Sequence, residues 1–142
     1  MHQAIAIAKA GVAAGELPYG AVVVLEDGAL LSAAHDQVEA DDDLTSHAEF
    51  LAIREAGRRH GRALVGCTLV STVEPCAMCF SAAWTAQVTG IVFGLRMREL
   101  RQERPLSMEE VTIDSDALNR LSSRRLRITA GVLAERCWEL WP

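Results

Sequence analysis

Glu74-Pro75-Cys76-Ala77-Met78-Cys79 divides two stretches of opposite character. Residues 67–73 before it alternate and are rich in β-formers, while proline at position 75 suits the first turn of a helix, where the backbone N–H has no partner to lose. The reading is strand, sharp turn, helix. Upstream, Thr45-Ser46-His47-Ala48-Glu49 opens a second predicted helix over 46–60, with Ala48, Leu51, Ala52 and Ala56 at helical spacing and Gly61 as its stop.

Working outward, residues 2–14 predict a first helix ending at Gly15, followed by a loop through Pro18-Tyr19-Gly20. Runs 21–26 and 29–34 flank Asp27-Gly28, the strongest hairpin signal in the chain, and predict two antiparallel strands. The polar stretch 36–45 reads as a loop, and 90–95 and 126–129 as further strands. A closing helix is expected over 130–141. The stretch 96–125 is the least legible, with arginines at 96, 98, 101 and 104 and a short helix expected around 117–121. Strands alternating with helices predict a layered α/β fold in a single domain, 1–142.

Composition narrows the function classes. With 142 residues, half of them hydrophobic, the chain can bury a core without disulfide staples. No apolar run approaches the roughly 18 residues of a membrane span, and residues 1–14 lack a basic, cleavable leader pattern, so the expectation is a soluble cytoplasmic protein with no membrane partner. The four cysteines (Cys67, Cys76, Cys79, Cys137) are too few and too uneven for a secreted disulfide framework. Lys9 is the sole lysine, which disfavours Schiff-base chemistry. A net charge of −5 argues against a dedicated polyanion binder without excluding a local basic patch.

Cysteines three apart at the start of a helix present both sulfurs to one side, and the helix dipole favours their thiolates. His47 brings the candidate ligands to three. Three protein ligands with an open fourth position is the pattern of a catalytic zinc, at which water is acidified from about 15.7 toward roughly 7. Glu49, two residues from His47, is placed to move protons without being a ligand. Alone, Ser46-x-x-Glu49 would be an ordinary capping box, and Cys76 with Cys79 a redox pair or half of a structural site. Together, H-x-E followed by P-C-x-x-C is the known zinc-deaminase signature.

On these motifs, and on Pro18-Tyr19-Gly20-Ala21, the hairpin and Ile91-Val92-Phe93-Gly94, the chain resembles the cytidine deaminase-like superfamily, in the branch of guanine deaminases and tRNA adenosine deaminases. The resemblance implies a three-layer α/β/α sandwich around a mixed sheet of about five strands. It implies one Zn2+ per chain on His47, Cys76 and Cys79, with Glu49 as the proton shuttle and the Ala48 N–H orienting the substrate. Tyr19 and Glu74 are carried with it as substrate contacts. Trp84, five residues beyond Cys79, either walls the pocket or packs in the core. A homodimer is also expected by resemblance.

Three positions depart from the family pattern: Asp36 replaces the usual base-binding asparagine, Leu44 a proline and Gln87 an arginine. An ionised carboxylate only accepts hydrogen bonds, so Asp36 in the pocket would favour a ring presenting N–H groups, or a cationic one. Asp36, Glu39 and Asp41-Asp42-Asp43 lie just upstream of His47 and would repel phosphate at the mouth unless the arginines of 96–127 fold toward it. The expectation is therefore hydrolytic deamination of a small ring, a guanine-like nucleobase or nucleoside. A tRNA adenosine deaminase acting on a flipped-out base is the alternative, and a zinc-stabilised module without catalysis is the third.

Overall fold

Asp27 and Gly28 reverse the chain as the hairpin signal predicts: Gly28 takes φ +85° and Asp27 Oδ1 accepts from the Ala29 N–H at 2.9 Å. The computed structural model describes residues 1–104 and 111–141. Strands β1 (Gly20–Val24) and β2 (Leu30–His35) leave this turn antiparallel, pairing Gly20 with His35 and Ala21 with Ala34, with a register shift at Val23/Val24. β1 also runs antiparallel to β3 (Thr68–Val73), which is parallel to β4 (Gly90–Leu95), itself parallel to β5 (Arg127–Thr129). The order β2-β1-β3-β4-β5 gives the expected mixed, five-stranded sheet.

Both faces are covered, which is why β3 is buried from Leu69 to Val73 instead of alternating with polar residues. Strand alternation sends Ala21, Val23, Leu69, Ile91 and Phe93 toward α3 (Ala48–His60) and α4 (Ala77–Thr85). Along α3, Ala48, Ala52 and Ala56 are fully buried at four-residue spacing, so a stripe of small side chains lets the helix lie close to the sheet. Val22, Val70 and Val92 point the other way, to Ala4 of α1 (His2–Ala13). Two glycines permit this closeness. A Cβ on Gly20 would enter the backbone of α1 at Ala4 and Ala8, and one on Gly94 would strike the Cys137 sulfur and the Thr72 carbonyl.

Among the described residues four short helices complete the chain between and after the strands, and several sequence expectations are corrected. The loop 36–45 contains a single turn, α2 (Val38–Asp41), held by Glu16, whose carboxylate accepts from the Glu39 and Ala40 N–H groups. α5 (Met97–Glu103) was not foreseen, because Met97 and Leu100 are the sole apolar positions that it offers as a periodic signal. α6 (Ser115–Leu121) starts two residues earlier than expected, at Ser115, behind the N-cap Asp114, whose carboxylate accepts from the Ala117 N–H. The closing helix over 130–141 is limited to α7 (Ala134–Trp138), since Gly131 and Leu133 adopt φ +78° and +54°, outside any right-handed helix. Among the described residues no helix is long and apolar enough to cross a membrane.

Candidate metal centre and active-site cleft

His47 and Cys76 occupy equivalent positions: each is the extended N-cap residue of a helix, α3 and α4 respectively, and neither side chain caps its own helix. Both are thereby turned out of the helix ends toward each other. His47 Nδ1 lies 3.6 Å from Cys76 Sγ and 3.7 Å from Cys79 Sγ, and all three atoms lie within 4.8 Å of one another. A tetrahedral zinc about 2.3 Å from sulfur and about 2.05 Å from nitrogen requires an S···N separation of about 3.6 Å. The donor set and its spacing therefore fit zinc as they stand. The capping-box alternative is not what forms: Ser46 Oγ donates to Asp41 Oδ2 at 2.8 Å instead of to the helix.

Without metal, the three ligands share protons among themselves. The hydrogen bond to Cys76 raises His47 to about 9, against the opposing effect of its burial. The hydrogen bond from Cys79, aided by His47, lowers Cys76 to about 4. Cys79, buried and donating to that thiolate, is pushed far up. Burial, with the Cys76 charge, raises Glu49 to about 7. The Glu49 carboxyl is thus a group that can hold a proton or release it near neutrality, the property a proton shuttle needs.

The cleft over the metal position is lined by Tyr19, Asp36, His47, Glu49, Glu74, Cys76 and Met97. Its parts arrive from separate elements. Pro18-Tyr19-Gly20 is anchored to β3 because Thr72 Oγ1 accepts from the Gly20 N–H at 3.1 Å. Asp36, at the end of β2, donates its N–H to the Tyr19 carbonyl at 3.1 Å, and Gln37 N–H donates to the Ser46 carbonyl at 3.0 Å, closing the loop onto α3. The Asp36 side chain is raised by burial while His47 pulls it down. Ala48 is the first residue of α3, so its N–H is among those with no intrahelical acceptor.

Glu74 is held by the protein's own groups, and of the two placements open for Trp84 the packed one forms. Glu74 borders the cleft, yet its oxygens are taken up by the protein: Oε1 accepts from the Ser115 N–H at 2.9 Å and from Arg96 at 3.3 Å, and Oε2 from the Met97 N–H at 3.2 Å. Buried to 2% exposure, it acts as a latch tying the starts of α5 and α6 to the cysteine loop. Trp84 is not brought to the cleft. Its indole N–H donates to the Arg124 carbonyl at 2.9 Å and the Arg124 guanidinium lies over its ring, on the side of α4 that faces α6. Five residues from Cys79 places it on another face of a helix of 3.6 residues per turn.

The charges near the mouth also differ from expectation. Of the five upstream carboxylates, Asp36 alone lines the cleft; Asp43 accepts from Thr45 N–H and Oγ1, and Asp41 from Ser46. Of the arginines of 96–127, Arg98 and Arg101 fold toward the site, whereas Arg124 lies on Trp84 and Arg104 donates to the Trp141 carbonyl. A cavity of about 300 Å³ opens beside the cleft, sharing Glu74, Cys76 and Met97 with it, and Arg98 and Arg101 are part of its wall. Met97 is the cleft residue that the sequence reading passed over, while Arg98 and Arg101 entered it only as members of an arginine-rich stretch with no assigned place. The available signal was position, since they follow the carboxyl end of a parallel strand, where α/β sheets place their ligands.

Comparisons with known proteins agree with this geometry. Residues 1–95 match the family described as the cytidine and deoxycytidylate deaminase zinc-binding region. The chain is 44% identical over 95 residues to a tRNA(Ile)-lysidine synthase of Deinococcus deserti, covering 66% of this chain and 18% of that protein. It is 45% identical over 87 residues to a tRNA-specific adenosine deaminase of Aquifex aeolicus, covering 61% of this chain and 57% of the relative. The chain thus spans less than two thirds of these relatives' length. The solved guanine deaminase from Nitrosomonas europaea superposes with a TM-score of 0.83 at 26% identity, over 96% of this chain and 78% of that one. With a matching family profile over most of its length and a three-ligand centre of zinc dimensions, the chain belongs to the cytidine and deoxycytidylate deaminase zinc-binding family.

Proposed function

We propose that the protein hydrolyses an exocyclic amino group from a small aminated heterocycle, a guanine-like base or its nucleoside, giving the oxo ring and ammonia. The observation that carries this reading is Asp36, a carboxylate 4% exposed that lines the same cleft as Glu49 and His47. A buried acceptor-only group is stabilised by ring N–H donors, which guanine presents and adenine largely lacks. When bound, zinc supplies Lewis acidity and activates water at neutral pH. The chain's own residues do the rest. Glu49 takes one proton from the attacking water and passes it to the ring nitrogen as the C–O bond forms, then carries the water's second proton to the amine as the C–N bond breaks and ammonia leaves. The Ala48 N–H and Asp36 hold the ring, while Tyr19 and Met97 wall the cleft against bulk water.

A second reading, deamination of adenosine in tRNA, is favoured by the name of the Aquifex aeolicus relative and by Arg98 and Arg101 beside the cleft. An ammonia-release screen of aminated bases, nucleosides and a tRNA anticodon stem-loop separates the two. Glu49→Gln distinguishes both from a zinc-stabilised binding module: the variant should keep zinc and its folded spectrum while ammonia release falls at least about 100-fold. Undiminished release would refute the shuttle assignment. The reading also takes the protein as a cytoplasmic homodimer, which sedimentation of the zinc-loaded chain tests.

A further inference from the structure

We propose that Glu16 is a positioning residue for ring selection, acting through Asp36 by holding the segment that carries Asp36 against the cleft. The inference rests on the deaminase reading, in which Asp36 meets the ring, and names what places that carboxylate. Glu16 is 7% exposed, and nothing in the proposed chemistry uses it. A carboxylate buried so far is costly unless its oxygens are satisfied. Both are taken by one short element: Oε1 accepts from the Ala40 N–H at 2.8 Å and Oε2 from the Glu39 N–H at 3.2 Å.

The element that Glu16 holds cannot hold itself. α2 is four residues long, and a single turn fixes its backbone for too few hydrogen bonds to persist alone. Glu16 is rigidly based by contrast: Gly15 at φ +94° ends α1, and the Glu16 N–H donates to the Gly11 carbonyl at 3.0 Å. The loop after α1 therefore grips the Asp36 segment at two points. The Tyr19 carbonyl accepts from the Asp36 N–H at 3.1 Å, and the Glu16 carboxylate holds the Glu39 and Ala40 N–H groups beyond it. Asp36 lies just past the last ladder pair of β2, His35 with Gly20, so the sheet fixes it on one side only. On the other side stands α2 with its closure onto Ser46, through the Gln37 N–H to the Ser46 carbonyl at 3.0 Å and Ser46 Oγ to Asp41 Oδ2 at 2.8 Å. Because Ser46 directly precedes His47, the same closure sets how far Asp36 stands from the metal position. The cleft leaves only about 10 Å³ free above the ligands, so a shift of about 1 Å decides which ring edge Asp36 meets.

A double-mutant cycle on ring discrimination provides the test, read by calorimetric binding of guanine and adenine to the zinc-loaded protein with ammonia release measured in parallel. Glu16→Ala should lower the guanine-to-adenine affinity ratio at least about 5-fold while zinc stays at one per chain. Glu16→Gln keeps one acceptor oxygen and should restore part of the ratio; where the alanine variant does not fold, the glutamine variant carries the cycle with a fall of about 2-fold or more. In the Asp36→Ala background, replacing Glu16 should leave the ratio where Asp36→Ala alone puts it, because the group that Glu16 places is gone. A lowered melting temperature with an unchanged ratio would mean that Glu16 only stabilises the fold and would overturn the proposal, as would an equal effect of the Glu16 substitution with and without Asp36. If Asp36→Ala itself leaves the ratio unchanged, the assignment of Asp36 to the ring falls and the role of Glu16 falls with it. Discrimination that follows the cycle without ammonia from any ring refutes the deaminase reading and leaves the positioning role standing.

Discussion

Replacing Glu74 by glutamine tests whether the latch organises the site. The side chain is 2% exposed and accepts from two backbone N–H groups and one guanidinium. Glutamine keeps the shape but presents an oxygen on one side and an NH2 on the other. With its oxygen toward Ser115 and Arg96, its NH2 confronts the Met97 N–H, donor against donor. One charge-assisted bond is lost, at about 1.5–3 kcal/mol, and a buried N–H is left unsatisfied, at about 1–3 kcal/mol. The sum, about 2.5–6 kcal/mol, brackets what breaking one side of a buried ion pair costs and is a large share of a total stability of about 5–15 kcal/mol. For a chain of this size the melting temperature should fall by about 8–20 °C. The loss should be local as well: amide exchange should accelerate at Met97 and Ser115 before it does in β3. A melting temperature within about 2 °C of wild type, with unchanged exchange at both amides, would show that Glu74 organises nothing and return it to the substrate contacts.

Zinc loading should be strongly pH-dependent. Below about 9 the metal-free His47 is protonated, Cys76 is already a thiolate and Cys79 a thiol, so metal binding at pH 7 must expel a proton from His47 and one from Cys79, about two in all. Affinity therefore rises with pH toward 9, and titrations in buffers of different ionisation enthalpy count the protons; a count near zero contradicts the arrangement. Gly94→Ala should destabilise the fold by about 1–3 kcal/mol through overpacking against Cys137 and the Thr72 carbonyl, read by urea denaturation, with Cys137→Ala relieving part of it. Asp36→Asn should shift relative kcat/KM among aminated rings by about 10-fold or more while zinc content stays at one per chain; parallel loss of both would count against a substrate-facing Asp36.

What was legible in the sequence was what local chemistry dictates. Asp27-Gly28 can do little but turn, and β3 and β4 are short β-rich runs bounded by glycine or proline, so their extents agree with expectation to within a residue. His47, Cys76 and Cys79 were legible because metal ligation leaves few alternatives at that spacing. Tertiary features were not. The latch role of Glu74 depends on partners 22 to 41 residues away. Trp84 was placed by distance from Cys79 along the chain, whereas its helix face decides its neighbours. The carboxylates at 41–43 suggested a negative mouth because composition carries no direction, yet Asp41 and Asp43 are engaged in their own turn.

The ligand positions explain why so compact a motif suffices. Because His47 and Cys76 are N-caps, their Cα positions are fixed by where α3 and α4 begin, and those starts are fixed by packing of Ala48, Ala52 and Ala56 against β1 and of Phe80 and Ala83 against the sheet. The metal geometry is thereby a consequence of core packing and not of loop conformation. Both helices also direct the positive ends of their dipoles at the same point, which favours the thiolates needed for zinc and a negative charge developing on the attacking oxygen. Variation in 96–125 then reaches the ligands by two routes, through Glu74, which ties α5 and α6 to the cysteine loop, and through Cys76, which lines both spaces. Substrate choice and metal chemistry are separable in this fold only as far as these two residues hold their places.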